Sequence, residues 1–180
     1  MKKVLVTGSN GLLGQKLTDL YLTIKDVELI ASSRGKNRHP VKDGYTYVEL
    51  DITNQESINK TITEYKPDTV INTAAMTNVD ACEADKASCD LLNIIAVHYL
   101  VDAANANNCH LIHLSTDFIF DGKNGPYDEE AEAAPLSYYG RSKLLGEQYI
   151  MENCKKWSIA RTVLVYGLVA DMSRSNIILW

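Results

Sequence analysis

The stretch TGSNGLLG, residues 7–14, decides the fold, because it places glycines at positions 8, 11 and 14 between an apolar strand and an amphipathic helix. In this spacing Gly8 permits a tight turn, Gly11 lets the backbone approach a pyrophosphate, and Gly14 lets the helix pack close to the sheet. The N-terminus of the helix offers free N–H groups and a partial positive charge to the anion. The stretch therefore predicts a dinucleotide-binding turn, in which Asn10 and Leu12 also contact the cofactor.

Outward from this turn, short apolar runs alternate with segments of helical periodicity. The runs that predict strands are KVLVT (3–7), VELIAS (27–32), TYVEL (46–50), TVINTAA (69–75), CHLIHLS (109–115) and SIARTVLV (158–165). Helices are predicted near residues 13–24, 85–106 and 138–153, the first two from apolar residues that recur on one face. Because strands that alternate with helices need crossover connections, the pattern predicts an α/β fold with a doubly wound parallel sheet, the Rossmann fold.

The composition is ordinary for a soluble domain and argues against several classes of function. Hydrophobic residues make up 46% and charged residues 23% of the chain, and the net charge is −5. This charge gives no reason to expect nucleic acid or an anionic membrane as a partner. No run approaches the roughly 18 consecutive apolar residues of a membrane span, and the N-terminus lacks a signal-peptide pattern. The four cysteines show no metal-ligand spacing, so we expect buried, reduced thiols in a cytoplasmic protein.

The end of the second predicted strand indicates which dinucleotide is bound. An acidic residue at this point would accept hydrogen bonds from the ribose 2′-hydroxyl of NAD, but no Asp or Glu lies between Glu28 and Asp43. Ser33 and Arg34 stand there instead, and a guanidinium matches a phosphate bidentately. The sequence therefore favours NADP(H) over NAD(H), with Arg34 as the leading contact. Further cofactor contacts are predicted after the third and fourth strands, at Asp51, Ile52, Ala74 and Ala75.

Two adjacent tyrosines precede a lysine in SYYGRSK (137–143), and helical geometry selects between them. Side chains four positions apart share a helix face, so Tyr139 pairs with Lys143 and Tyr138 does not. Hydride transfer to a carbonyl leaves negative charge on oxygen, which requires a proton donor within hydrogen-bond reach. We predict that Tyr139 is this donor, that Lys143 supplies positive charge and holds the nicotinamide ribose, and that Thr116 binds the carbonyl oxygen.

These motifs together resemble the extended short-chain dehydrogenase/reductase superfamily and, more closely, the dTDP-4-dehydrorhamnose reductase family. TGSNGLLG, DITN, NTAAMTNVDACE, STDFIFDG, YYGRSKLLGE and ARTVLVYG occur in the family's order and spacing. The resemblance implies reduction of the 4-keto group of a dTDP-linked deoxysugar on the route to dTDP-L-rhamnose, often with Mg²⁺ at a homodimer interface. It also implies that Thr77, Val79, Thr116 and Phe118 face the sugar. The family often has tyrosine in place of Phe118 and tryptophan in place of Leu164.

The resemblance also predicts the domain organisation and leaves two alternatives open. Family members continue past residue 180 into a region that holds the substrate nucleotide. Residues 1–166 are therefore predicted to form the NAD(P)-binding domain, and residues 167–180 to begin a substrate-binding region that is largely missing. Alone, this chain is expected to bind cofactor without turnover.

The alternatives are another sugar-nucleotide epimerase or dehydratase of the superfamily, and a non-catalytic NADP-binding regulator similar to the regulatory subunit of methionine adenosyltransferase. No metal site is predicted from the residues themselves. His110 and His113, three residues apart on a strand, are expected to be packed and not to bind metal.

Overall fold

The computed structural model describes residues 1–169, in which a parallel sheet carries helices on both faces. Its strands are β1 (Lys2–Thr7), β2 (Val27–Ser33), β3 (Thr46–Glu49), β4 (Thr69–Asn72), β5 (His110–Thr116) and β6 (Trp157–Thr162). Its helices are α1 (Leu12–Tyr21), α2 (Gln55–Tyr65), α3 (Val79–Ala84), α4 (Lys86–Asp90), α5 (Ala96–Ala106) and α6 (Tyr138–Asn153). A π-helical turn (Leu91–Ile95) joins α4 to α5, and a 3₁₀ turn (Asp117–Ile119) follows β5.

The order of the strands determines where a ligand can bind. Across residues 1–169 the order is β3-β2-β1-β4-β5-β6, and every neighbouring pair is parallel. The direction of winding reverses between β1 and β4, and ligands bind outside the carboxyl ends of the strands at such a switch point. Thr7, Asn72 and Thr116 end their strands at this edge. The predicted doubly wound parallel sheet is confirmed.

Alternate residues of the central strand β1 supply cores on the two faces of the sheet. Leu5 packs with residues of α2, α5 and α6, whereas Val4 and Val6 lie on the opposite face with residues of α1. Leu5 and Val6 are 0% exposed, and burying a side chain of this size contributes about 1.5–3 kcal/mol. The four cysteines are free thiols and buried, as predicted.

Helix α2 was not identified in the sequence. Its N-terminus is capped by Asn54, whose side-chain oxygen accepts a hydrogen bond from the backbone N–H of Ser57 at 2.9 Å. Only two apolar side chains of the helix, Ile58 and Ile62, are fully buried. Polar residues fill most of the other positions, so the apolar periodicity of this segment is too sparse to mark a helix.

The helix predicted over residues 85–106 is interrupted in the structure. Asp85 caps α4 by accepting a hydrogen bond from the backbone N–H of Ser88 at 3.0 Å, and the π-helical turn then inserts one residue into the helical repeat. The stretch Lys86–Ala106 has 21 residues, and an 18-residue window within it has a mean hydropathy of 1.3, so by length and composition alone it could cross a membrane. Val97 and Leu100 of this stretch are buried in the main core, and the core helix of a globular domain passes the same test of length and composition.

Three predicted strands end earlier than the apolar runs that indicated them, and β3 does so by one residue, at Glu49. β4 ends at Asn72 instead of residue 75, because the backbone N–H of Ala74 donates to the Asn72 side chain at 3.2 Å and leaves the ladder. β6 ends at Thr162 instead of residue 165. The predicted domain boundary at residue 166 stays a prediction, and residues 170–180 of the predicted C-terminal region lie outside the described residues.

Candidate active site

The glycine turn after β1 has the geometry that its spacing predicted. Gly8 has φ +70°, a left-handed conformation, and a Cβ at this position would lie 2.8 Å from the backbone nitrogen of Ala74. A Cβ at Gly14 would overlap the carbonyl oxygen of Gly8. Helix α1 begins at Leu12, so its unpaired N–H groups open directly beside the turn. This cradle of backbone suits a pyrophosphate, which needs close approach and N–H donors.

A cleft above the turn contains most of the residues predicted to bind cofactor. Its walls are Gly8, Asn10, Gly11, Ser33, Arg34, Arg38, Leu50, Asp51, Ile52, Thr73, Ala74, Ala75 and Leu92. We call it the dinucleotide cleft. Sequence reasoning missed Leu50, Thr73 and Leu92. Gly14 does not line the cleft and instead packs α1 against the turn, which is the role assigned to it.

Asn10 joins the glycine turn to the basic loop after β2. Its side-chain nitrogen donates to the carbonyl oxygen of Lys36 at 3.0 Å, and its side-chain oxygen accepts from the backbone N–H of Arg38 at 2.8 Å. Asn10 is itself 4% exposed. It therefore fixes the loop whose Arg34 and Arg38 side chains reach the dinucleotide cleft.

The carboxylate of Asp51 lines the same cleft. Burial favours its neutral form, but hydrogen bonds from the backbone N–H and hydroxyl of Thr53, at 2.9 and 2.7 Å, together with the positive charge of Arg34, hold the pKa of Asp51 below its ordinary value. Asp51 is therefore an ionised acceptor at neutral pH, as binding of a ribose or adenine group would require.

A second cleft continues from the first toward α6. Its walls are Leu12, Leu13, Thr73, Ala75, Thr77, Val79, Leu114, Ser115, Thr116, Phe118, Tyr139, Lys143, Thr162, Val163, Leu164 and Val165. We call it the catalytic cleft. Thr73 and Ala75 line both clefts, which are therefore neighbours at the switch point. The predicted catalytic residues and the predicted sugar-facing residues come together here.

Helix α6 turns its two N-terminal tyrosines to different surroundings. Ser137 caps the helix by accepting a hydrogen bond from the backbone N–H of Gly140 at 3.0 Å. Tyr139 is 9% exposed and lines the catalytic cleft. The hydroxyl of Tyr138 instead donates to Asp90 at 2.8 Å, and this tyrosine does not line the cleft. The structure thus places in the cleft the tyrosine that helix geometry selected.

Lys143 is buried behind the catalytic cleft, with 2% of its surface exposed. Its Nζ donates to the carbonyl oxygen of Leu114 at 2.7 Å and lies 3.0 Å from Nε2 of His113. Burial lowers the pKa of Lys143 to about 8, despite the opposing effect of the nearby Glu147 carboxylate. Lys143 is therefore close to titrating at neutral pH.

Tyr139 has a higher pKa than a free phenol in this structure. Burial raises the pKa, whereas a hydrogen bond with Thr116 acts in the opposite direction. The ring of Phe118 meets the Tyr139 ring edge to face, with 5.7 Å between centroids. The phenol is thus a protonated donor at neutral pH, and Thr116 stands beside it at the end of β5.

Several polar residues that support the site were not singled out from the sequence. Asn93, in the π-helical turn, accepts from the backbone N–H of Met76 at 2.9 Å and donates to Ser142 at 2.9 Å. His113 was expected only to pack, but it contacts Lys143. Because residues three apart on a strand point to opposite faces of the sheet, its spacing from Thr116 gave no sequence signal that connected it to the site. Ser115, a buried residue of the wall of the catalytic cleft, has no hydrogen-bond partner for its Oγ among residues 1–169.

A buried ion pair ties α6 to the outer strand of the described sheet. Glu147 is 0% exposed, and both of its oxygens accept from the Arg161 guanidinium of β6, at distances from 2.7 to 3.2 Å. Arg161 also donates to the carbonyl oxygen of Glu129 at 2.9 Å. The pair fixes the helix that carries Tyr139 and Lys143 against the strand beside β5.

Metal chemistry finds little support among the residues that the structure describes. Within residues 1–169 no cluster of three or more His, Cys, Asp or Glu side chains could hold a metal ion. Nε2 of His110 lies 2.9 Å from the hydroxyl of Ser158, and the carboxylates at 128–130 are exposed. The Mg²⁺ and the homodimer that the resemblance implies stay predictions.

Comparison with known proteins identifies the family. The family described as the RmlD substrate binding domain matches residues 1–177. The chain belongs to this family. It is 36% identical over 168 residues to a dTDP-4-dehydrorhamnose reductase of Aggregatibacter actinomycetemcomitans, covering 93% of this chain and 53% of that protein. It is 31% identical over 177 residues to methionine adenosyltransferase 2 subunit beta of Danio rerio, covering 98% and 52%. The chain thus spans about half the length of the curated relatives it matches.

Solved structures agree with this assignment. A dTDP-4-dehydrorhamnose reductase ortholog from Clostridium acetobutylicum superposes with a TM-score of 0.83 at 36% identity, covering 98% of this chain and 57% of that one. A Bacillus anthracis dTDP-4-dehydrorhamnose reductase, solved in complex with NADP, gives 0.81 at 29% identity, covering 99% and 58%. The UDP-glucose 4-epimerase of Brucella ovis gives 0.83 at 23% identity over 95% of this chain and 55% of that one, which shows the shared fold alone.

Proposed function

We propose that this RmlD-family chain is the cofactor-binding part of an NADP(H)-dependent reductase that acts on the 4-keto group of a nucleotide-activated deoxysugar. The observation that carries the proposal is the catalytic cleft, where Thr116, Tyr139 and Lys143 lie together and the wall continues into the glycine turn. The relatives named dTDP-4-dehydrorhamnose reductase make a dTDP-linked 4-keto sugar the first substrate to test.

Three residues of the catalytic cleft would each have a separate role in the reduction of a carbonyl group. When bound, the nicotinamide would supply the hydride. The hydroxyl of Thr116 would hydrogen-bond the carbonyl oxygen, and Tyr139 would give its phenolic proton to that oxygen as negative charge develops. Lys143, one helical turn further, would support the phenolate that remains by positive charge and hold the nicotinamide ribose. A positioned acid of this kind contributes roughly 10²–10⁴-fold to the rate.

The basic loop supports NADP(H) as the cofactor. Arg34 and Arg38 both reach the dinucleotide cleft, and Ser33 ends β2 at the same point. A guanidinium fork can bind the 2′-phosphate of the adenine ribose with two parallel hydrogen bonds. The NADP complex of the Bacillus anthracis relative is consistent with this choice.

Thr77, Val79 and Phe118 line the catalytic cleft and would face the sugar. Phe118 is 44% exposed, so a ligand in the cleft would cover an aromatic surface that is now open to solvent. The nucleotide of the substrate would be held by the C-terminal region found in the longer relatives. A cytoplasmic location is part of the proposal.

The decisive measurement is oxidation of NADPH by the full-length protein in the presence of a dTDP-4-keto-6-deoxysugar. Consumption of NADPH in a one-to-one ratio with formation of the 4-hydroxy sugar is the expected result. Tight NADPH binding without oxidation by any nucleotide-linked keto sugar would contradict the reductase.

The second candidate is a non-catalytic NADP-binding regulator, and the similarity to methionine adenosyltransferase 2 subunit beta favours it. A regulator would bind the cofactor in the same clefts but would not need Thr116, Tyr139 and Lys143 as a set. A pull-down with a methionine adenosyltransferase catalytic subunit, run beside the keto-sugar assay, separates the two candidates. An epimerase or dehydratase would release a rearranged sugar with no net consumption of NADPH.

A further inference from the structure

Behind the catalytic cleft, buried polar side chains run from β1 to α6 across the middle of the sheet. Thr7, Asn72, His113 and Lys143 are each at most 2% exposed. Thr7 Oγ1 lies 2.6 Å from Asn72 Oδ1, Asn72 Nδ2 lies 3.1 Å from His113 Nδ1, and His113 Nε2 lies 3.0 Å from Lys143 Nζ. We call these four residues the buried relay.

The orientation of the Asn72 amide is fixed by a partner that can only donate. The backbone N–H of Ala74 points to Asn72 Oδ1 at 3.2 Å, so this atom must be the acceptor oxygen. The other side-chain atom is then the NH₂ group, which has no lone pair to offer. Asn72 therefore donates to Nδ1 of His113, and Nδ1 must accept.

The tautomer of His113 follows from this hydrogen bond. Burial is the largest cause that holds the pKa of His113 well below its ordinary value, and it is sufficient to keep the ring neutral without any charge on Lys143. A neutral imidazole whose Nδ1 accepts carries its proton on Nε2. The Nε2–H group therefore points at Lys143 Nζ.

A donor that points at Lys143 Nζ requires a lone pair on that nitrogen. A neutral amine satisfies every contact, because it accepts from His113, donates one N–H to the Leu114 carbonyl oxygen at 2.7 Å, and keeps one N–H for the cleft. An ammonium would have to donate to Nε2, which requires the Nδ1–H tautomer and an inverted Asn72 amide. The backbone N–H of Ala74, which is part-buried, would then face an NH₂ group and lose its acceptor.

We propose that Asn72 and His113 are positioning residues that hold Lys143 Nζ and bias its protonation equilibrium toward the neutral amine. The meaning for catalysis rests on the proposed function. If the ammonium form supports Tyr139 during reduction, activity is present below the pKa of Lys143 and is lost as pH rises through it. The buried relay would thus set the alkaline limit of the reaction.

Several other titratable groups lie around Lys143, and the effect of burial opposes two of them. Tyr139 and Glu147 are on its own helix, Cys89 approaches from α4, and His113 belongs to β5. The carboxylate of Glu147 and the thiol of Cys89 raise the pKa of Lys143, but burial outweighs them and leaves it at about 8. The charge of Glu147 is already neutralised by Arg161, so it is less available to hold an ammonium.

The tautomer can be measured directly by ¹⁵N NMR of the histidine-labelled protein without any ligand. Protonated and unprotonated ring nitrogens differ widely in ¹⁵N shift, so the spectrum identifies the tautomer. The expected result is a neutral His113 in the Nε2–H form at about pH 10, above the Lys143 pKa of about 8, with its Nε2 signal moving as pH falls through that pKa and Lys143 gains a proton. A His113 in the Nδ1–H form, or a protonated ring at this pH, would overturn the proposal.

The variant Asn72→Asp tests the relay by reversing it. A carboxylate at this position still accepts from Thr7 and Ala74, but it also accepts from His113 Nδ1–H and so switches the tautomer. Nε2 then accepts from a Lys143 ammonium, and the titration of Lys143 should move up by about one pH unit or more. A raised pKa of Lys143 with an unchanged tautomer of His113 would be a simple effect of the added charge and would contradict the proposed role of the buried relay.

The variant His110→Gln is the matched control on the same strand. His110 contacts Ser158 and is not part of the relay, so its loss identifies one histidine signal and should leave both the His113 tautomer and the Lys143 titration unchanged. If Asn72→Asp does not fold, the tautomer of His113 measured in the unmodified protein still tests the proposal.

These measurements use neither cofactor nor substrate, so failure of the keto-sugar assay would leave them unaffected. Where reduction is observed, the alkaline limb of the kcat/KM profile should move to higher pH in Asn72→Asp, by the same amount as the Lys143 titration. A switched tautomer with an unmoved alkaline limb would reject the catalytic part of the inference and leave only a structural contact.

Discussion

Tyr138 and Tyr139 are chemically identical neighbours, and the phase of helix α6 alone separates their environments. The hydroxyl of Tyr138 is engaged by Asp90, and Lys86 lies 4.9 Å from the centre of its ring. Tyr139 faces Phe118 and Thr116 in the catalytic cleft. A change of one position therefore moves a phenol from the active-site wall to a contact between helices.

The first prediction concerns this pair of tyrosines. Replacement of the catalytic donor in Tyr139→Phe should lower kcat by roughly 10²–10⁴-fold, because no other tyrosine among residues 1–169 lines the catalytic cleft. The Kd for NADPH should stay the same, since the ring and its packing remain. Tyr138→Phe is the matched control and should retain turnover, measured by NADPH consumption with the keto sugar. Equal losses in both variants would contradict the assignment.

The second prediction concerns the choice of cofactor at Arg34. Loss of its guanidinium in Arg34→Ala should weaken NADPH binding about tenfold or more, because hydrogen bonds to charged groups contribute about 1.5–3 kcal/mol. NADH lacks the 2′-phosphate, so its Kd should change little. Both constants are measured by fluorescence titration. Lys36→Ala removes an exposed charge from the same loop at a residue that does not line the dinucleotide cleft, and it should leave the preference in place. An unchanged preference for NADPH over NADH in Arg34→Ala would contradict the assignment of Arg34 as the contact to the 2′-phosphate.

At the scale of elements, α6 depends on two glycines that let its backbone approach its neighbours. A Cβ at Gly140 would overlap the carbonyl oxygen of Phe118, and a Cβ at Gly146 would lie 2.7 Å from the carbonyl oxygen of Asn93. The first contact fixes α6 on the 3₁₀ turn after β5, and the second fixes it on the π-helical turn. These contacts, and not helix propensity, explain two glycines inside a helix.

The third prediction follows from the closer of these contacts. Gly140→Ala should lower the free energy of unfolding, because overpacking costs about 1–3 kcal/mol and the gain in helix propensity is at most about 1 kcal/mol. Urea denaturation measures the difference. Arg141→Ala, at the adjacent exposed position, should be nearly neutral in the same assay. Turnover should fall in Gly140→Ala, since the backbone that carries Tyr139 must shift. A stabilised Gly140→Ala protein would show that the contact relaxes easily.

At the scale of the whole molecule, periodicity and glycine spacing predicted the class of sheet and the edge where ligands bind. They did not predict α2, whose buried face contains few apolar residues, or the π-helical turn Leu91–Ile95 inside the helix predicted over residues 85–106. The residues named for the two clefts follow from topology, because parallel strands end at one edge. The roles of His113 and Asn93 depend on side chains that meet across distant elements, which local sequence does not encode.

The fourth prediction is a pH dependence of stability. Burial lowers the pKa of Lys143 to about 8 from 10.5, so between these values the unfolded chain binds a proton that the folded chain does not. Stability from this residue therefore rises with pH across that window. Lys143→Met should cost more stability at about pH 10 than at about pH 7 in paired urea denaturations. Because both proteins share every other group, a cost that falls with pH would show that Lys143 keeps its proton on folding.

The buried ion pair between Glu147 and Arg161 also affects the local unfolding of β6, the outer strand of the described sheet. If β6 separated from α6, the fully buried carboxylate of Glu147 would lose Arg161 as its partner, and removing one partner from a buried pair costs about 3–5 kcal/mol. Strand β6 is therefore held to α6, the helix with Tyr139 and Lys143, and the two elements should unfold locally as one cooperative unit. Amide hydrogens along Trp157–Thr162 would then exchange at the same slow rate as those in the middle of α6, although strands at a rim ordinarily fray first.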